Sequence, residues 1–343
     1  MSRGYRLTDV RGAAGAVVRA VSVPVTVFLI ATFGTYALGA LGGANPAATV
    51  LGQDATPSAI AQLNHQFGLD RPFLVQYFSW LGHALSGNLG TSYFTSIPVS
   101  TSLGQALPVD LSLALLALGF AVLLGGGAGI AAALRRGSAL DRIVSAVCSA
   151  LATVPPFLVG ITLIVLFAVT FRLLPSGGYV PFTQNPGQWL RFALLPALAL
   201  SAEGAAAIAR QLRTSLVGAL DENYVLGAAA RGLSARRVLL RHALRNAAGP
   251  ALTVLGVQVP AIIGGAVVAE KMFALPGVAQ LALTAGSERD VPVIQGALLV
   301  TIGVVLVSNI AVNALLARLT PQARRAPSAR RRPGAARVAE VGA

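Results

Sequence analysis

Six stretches of this chain are apolar for the length, about 20 residues, that a helix needs to cross a hydrocarbon core. They are Ala20 to Leu41, Leu111 to Leu134, Ile143 to Phe171, Phe192 to Ala209, Ala248 to Ala269 and Ala297 to Ala317. A backbone inside lipid must satisfy its own hydrogen bonds, so runs of this kind predict membrane-spanning helices. Composition agrees: 55% hydrophobic and 11% charged residues leave too few charges to clothe a soluble domain of 343 residues. The expected fold is all-α, a polytopic membrane protein with six transmembrane helices. The fourth run is the shortest and contains Glu203. The third contains Pro155-Pro156, and two residues without an amide proton should kink or break its helix.

A formal net charge of +14 would suggest nucleic acid in a soluble protein, but here the arginines fall between the apolar runs. Basic flanks resist translocation, so their distribution sets the orientation. With the amino terminus inside, the inner segments hold 21 basic residues, among them Arg135, Arg136, Arg142, Arg210, Arg213 and Arg231. The outer segments hold Arg71, Arg172, Arg191, Lys271 and Arg289. Both termini are therefore expected in the cytoplasm, with the chain multi-pass in the plasma membrane. Residues 1–19 form an inner terminus and 20–41 the first span, read as uncleaved because secretory h-regions are shorter. Residues 42–106 form an outer segment with amphipathic stretches Pro57 to Phe67 and Phe73 to Leu85, which should lie on the outer face with Tyr77 and Trp80 near headgroups. Residues 107–317 hold the other five spans and a cytoplasmic loop, 210–247. The basic tail 318–343, rich in arginine, proline and alanine, should stay disordered or rest on anionic lipid.

Several chemistries are excluded by what the chain lacks. A phosphate-cradling loop needs lysine followed by serine or threonine, whereas the one lysine, Lys271, precedes Met272. No zinc-protease or nucleophile-elbow pattern occurs, and His65, His83 and His242 lie in loops. The single cysteine, Cys148, sits in an apolar run and reads as packing, with no metal site expected. Among carboxylates only Glu203 lies clearly within a span. Two readings stand for it: a pathway residue meeting a substrate amine or metal cation, or a residue that pairs with a polar group of a neighbouring helix or sits closer to the interface than the run suggests. Asp110, behind Pro108, reads as a helix-start residue suited to the dipole of the second span. Gly125, Gly126, Gly127, Gly264 and Gly265 suggest close helix packing or a wide path.

The loop 210–247 is the richest segment. Asp221 and Glu222 suit a helix start, Tyr224 to Ala230 is small and apolar, Gly232 can stop that helix in a left-handed conformation, and Ser234 can cap the next. The second helix would place Arg237, Arg241 and Arg245 on one face, a stripe at ease against an acidic partner or anionic lipid. A solvated basic loop explains the arginines equally well but not the small-residue turn.

This loop resembles the cytoplasmic docking region of permease subunits of bacterial ABC importers, most closely those of the peptide/nickel subfamily. The resemblance runs from about Ala20 to Arg325. It includes Gly68-Leu69-Asp70-Arg71-Pro72, Gly87-Asn88-Leu89-Gly90-Thr91-Ser92, Glu270-Lys271-Met272-Phe273-Ala274-Leu275-Pro276-Gly277 and Asp290-Val291-Pro292-Val293-Ile294-Gln295-Gly296. The sequence departs from the pattern at Leu226, where the general motif has glutamate, and at Gly43-Ala44-Asn45-Pro46, where relatives carry Pro-Gly-Asp-Pro. The resemblance implies a type I importer permease that is not itself an enzyme. A second permease, two cytoplasmic ABC ATPases that bind ATP and Mg, an extracytoplasmic solute-binding protein and membrane lipid would be its partners. It needs no cofactor of its own and no nucleic acid. It also implies that Asp221, Glu222, Tyr224, Ala228, Arg231, Gly232, Leu233, Ser234 and Arg237 form the ATPase-docking element. The expected cargo is a di- or oligopeptide, with nickel or glutathione as alternatives. An ion-coupled secondary transporter is the rival mechanism, and the scarcity of intramembrane charges counts against it.

Overall fold

Helix is the expected answer to lipid, and the computed structural model, which describes residues 22, 25–39, 45–52 and 54–319, is built from helices. In chain order they are α1 (Val25–Gly39), α2 (Pro46–Leu51), α3 (Pro57–Phe67), α4 (Phe73–Leu85), α5 (Val99–Leu134) and α6 (Ala139–Thr153). There follow α7 (Pro156–Thr170), α8 (Pro186–Leu220), α9 (Asn223–Ala230), α10 (Ala235–Met272), α11 (Val278–Glu288) and α12 (Val291–Leu319). Among the described residues four helices, α5, α8, α10 and α12, are long and apolar enough to cross a membrane, and a fifth crossing results if α6 and α7 count as one. The described part of α1 is a shorter apolar helix. The tail 320–343 and most of residues 1–24 lie outside the described residues.

Pro155 and Pro156 break the third run as expected, and α6 and α7 meet at 111°. The second run differs from expectation. Its helix begins at Val99 rather than Leu111, because Val99, Leu103, Ala106 and Val109 recur at helical spacing and bury one face. Polar residues on the opposite face hide this turn of helix from a search for unbroken apolar runs. Asp110 is consequently mid-helix and does not start α5. Its Oδ2 accepts the Val278 amide (3.0 Å), so it caps α11 instead. Glu270, fully buried at the end of α10, caps the same helix by accepting from the Gln280 amide (2.7 Å). Gly277 passes so close to both carboxyl groups that any side chain would strike them.

Helix α8 is the hub. Its Ala193, Leu195, Ala199 and Leu200 form one core with Val109, Leu113 and Ala117 of α5 and Ile262, Ala269 and Phe273 near α10. Further inward, a methyl group at Gly125 or Gly129 of α5 would run into the carbonyls of Ala205 and Ala209 on α8. The two glycines are four residues apart, which is the small-residue spacing that lets membrane helices approach closely. Gly126, Gly127 and Gly264 face open space, so only Gly125 of the expected set has this role clearly.

The outer segment forms α3 and α4 over the residues read from the sequence. Tyr77 is not at a headgroup surface. It is 3% exposed, shares a hydrogen bond with Thr32 of α1 (3.0 Å), and lies edge-on to Phe33. Gln295 of α12 donates to the Thr32 carbonyl (2.8 Å), and Ser92 donates to the buried Asp290 at the start of α12 (2.5 Å). These contacts tie α1, the outer segment and α12 into one body.

Candidate functional site: an inner docking element

The chain leaves α8 at Asp221, whose amide donates to the carbonyls of Ala219 and Val217. Asp221 thus closes α8 and does not start the next helix, which begins at Asn223. Its side chain meets Arg136 at 3.2 Å on the surface, where such a pair contributes at most about 1 kcal/mol. Val225 and Ala228 point inward from α9 and pack with Ala133 of α5, Leu212, Leu216 and Ala219 of α8, and Val238, Ala243 and Ala247. Burying a valine stabilises by about 1.5–3 kcal/mol, enough to seat so short a helix. Ala228 is 0% exposed, so it anchors the element from beneath and presents no surface to a partner.

Opposite this anchor, Glu222, Tyr224, Arg231, Gly232, Ser234 and Arg237 are exposed, and Leu233 is half-buried. The turn between α9 and α10 depends on Gly232, with φ of 78°. A side chain there would meet nothing within 4 Å, so the requirement is for the left-handed backbone and not for space. Ser234 stands at the cap position of α10 with extended backbone, but its hydroxyl makes no capping hydrogen bond. Arg237, Arg241 and Arg245 are all exposed. They do not form a regular α-helical stripe, because a π turn at Leu239–Ala243 inserts an extra residue into that stretch.

One clamp beneath the element was not legible as such. Arg213 of α8 grips Asp141 at the start of α6 with two hydrogen bonds (2.5 and 2.7 Å), and the Gly137 amide donates to the same carboxylate (2.9 Å). Asp141 is 4% exposed, so this is an internal joint between two inner helix ends. Arg213 had read as one of the inner-side topology signals, and only its pairing with Asp141 across 72 positions separates it from the solvated arginines nearby.

Glu203 lies midway along α8, exposed, and none of the described hydrogen bonds or ion pairs involves its side chain. A charged group at the centre of a bilayer costs about 2.5–3.5 kcal/mol, so carboxylates within spans face protein or water.

The family model described as "Binding-protein-dependent transport system inner membrane component" matches residues 125–325, and the corresponding N-terminal model matches residues 15–114. A putative peptide transport system permease protein of Brucella abortus is 36% identical over 90% of this chain and 98% of its own. The di/tripeptide transport system permease protein of Pseudomonas aeruginosa is 34% identical, covering 90% and 98%. The metal-staphylopine import system permease protein of Staphylococcus aureus is 32% identical, covering 90% and 97%. In fold, the chain resembles an inward-facing structure of the methionine ABC transporter MetNI, with a TM-score of 0.53 and 16% identity over 64% of this chain and 96% of that one.

Proposed function

The chain belongs to the inner membrane components of binding-protein-dependent transport systems, the permease subunits of ABC importers, and on that premise we propose that it forms half of a peptide translocation pathway. In this reading a second permease lines the other half and two cytoplasmic ATPases bind ATP and Mg. One of them grips the element formed by Asp221, Glu222, Tyr224, Arg231, Gly232, Leu233, Ser234 and Arg237, with Ala228 as its buried seat. An extracytoplasmic binding protein delivers the cargo. Glu203 faces the pathway.

The observation that carries the reading is the mounting of the docking element. Its exposed face is backed by Val225 and Ala228, which pack on the inner ends of α5, α8 and α10 together. A push on that face is therefore delivered to three helices at once, as alternating access by tilting of rigid helices requires. Short peptides are the cargo favoured by the relatives named for peptide and di/tripeptide transport. The metal-staphylopine relative keeps a metal chelate as the second reading.

Replacing Gly232 by valine tests the coupling. The left-handed backbone should cost about 1–3 kcal/mol with a β-branched residue, confined to the turn. The variant should insert and assemble, yet uptake in proteoliposomes should fall at least tenfold while ATP hydrolysis loses its dependence on the binding protein. Uptake at the wild-type rate would sink the coupling role.

A further inference from the structure

From Glu203 inward, the exposed positions of α8 fall on one strip. Glu203, Arg210, Thr214 and Gly218 are exposed, with half-buried Ala207 between the first two, and these positions recur every three to four residues on one face. Between Phe192 and Ala202 no residue of α8 is exposed, and Pro196, Ala199 and Leu200 are buried. Glu203 therefore marks the point where a closed stretch of the helix gives way to an exposed inner strip. Neither Glu203 nor Arg210 has a side-chain partner among the described hydrogen bonds and ion pairs. The seven residues between them correspond to about 10 Å along the helix, with the carboxylate outermost.

Resting on the reading of a peptide cargo, we propose that Glu203 and Arg210 form a two-point holding site for a zwitterionic short peptide, its ammonium on Glu203 and its carboxylate on Arg210. Lipid tails do not satisfy the Glu203 carboxylate within the span, and Arg210 stands at its inner edge. A single occupant that answers both charges brings a cation and an anion at matching separation, and about three extended residues span 10 Å. Charge-assisted hydrogen bonds at both ends then select for free termini, while Ala207 between them leaves the middle of the cargo unread.

The test uses the complex purified with its native partner subunits in nanodiscs, free of ATP and binding protein, so that the binding protein's selectivity plays no part. Equilibrium dialysis with radiolabelled trialanine, N-acetyl-trialanine and trialanine amide gives the affinities. Each blocked form should bind wild type about tenfold more weakly, the loss of one charged contact. Glu203→Gln should abolish the penalty for acetylation and leave that for amidation. Arg210→Gln should do the reverse, and Arg210→Lys should retain wild-type discrimination. The site is overturned if either variant weakens all three probes alike, if no probe saturates, or if Ni2+ alone binds in a Glu203-dependent manner and displaces trialanine. Binding-protein-stimulated ATP hydrolysis by the same wild-type complex reports on the parent reading. Its absence overturns the permease assignment, whereas its presence without probe discrimination overturns the holding site alone.

Discussion

At the scale of single residues, what matters is where charge is paired and where it is not. Asp141 accepts from Arg213 and from the Gly137 amide in a buried setting, while Asp221 meets Arg136 with both side chains largely in water. Breaking the first leaves a partly buried guanidinium without its mate, at a cost of about 1–3 kcal/mol. Breaking the second costs at most about 1 kcal/mol. Asp141→Asn should therefore lower the unfolding midpoint of the detergent-solubilised chain by several degrees, and Asp221→Asn should barely move it; differential scanning fluorimetry of both variants checks the contrast. The sequence placed these residues on the inner side but gave no means of telling clamp from surface, since the partners are far apart in the chain. Glu270 and Gly277 were visible only as members of a recognisable block. Their job, capping and admitting the start of α11, depends on a contact with Asp110 that no local pattern encodes.

Elements were legible where the chain punctuates itself. Pro57 opens α3 behind the Thr56 cap, and Pro155-Pro156 breaks the bent span, so both boundaries follow from backbone chemistry. The outer turns of α5 and the whole of α11 escaped, because each buries one face and keeps the other polar, which defeats an average over an apolar window. How closely two elements approach is set by still fewer atoms. Gly129 of α5 lies against Ala209 of α8, and a valine there must push the helices apart. Overpacking of this kind costs about 1–3 kcal/mol. Gly129→Val should lower the yield of folded protein and its unfolding temperature, whereas Gly126→Val, facing open space, should leave both within error; gel filtration after solubilisation separates the two outcomes.

At the scale of the whole molecule, the fold class was readable from apolar run length and arginine placement alone, as both rest on the solvent and not on packing. The coupling to an energy source was not, and it comes from what the chain lacks together with the family it belongs to. Reconstituted alone with ATP on the inner side, the subunit should accumulate no labelled peptide above equilibrium, and uptake should appear only when ATPase, second permease and binding protein are added. Concentrative uptake by the lone chain would contradict the assignment. The span α8 has one more consequence. Its 35 residues extend about 52 Å, well beyond a hydrocarbon core of about 30 Å, with the turn at Asp221 at its foot and Glu203 at its midpoint. If such a mast pivots near its outer end, a residue halfway up travels half as far as the foot. A displacement of about 6 Å at the foot would then shift the carboxylate by about 3 Å, one hydrogen-bond length, without dismantling the helices around it.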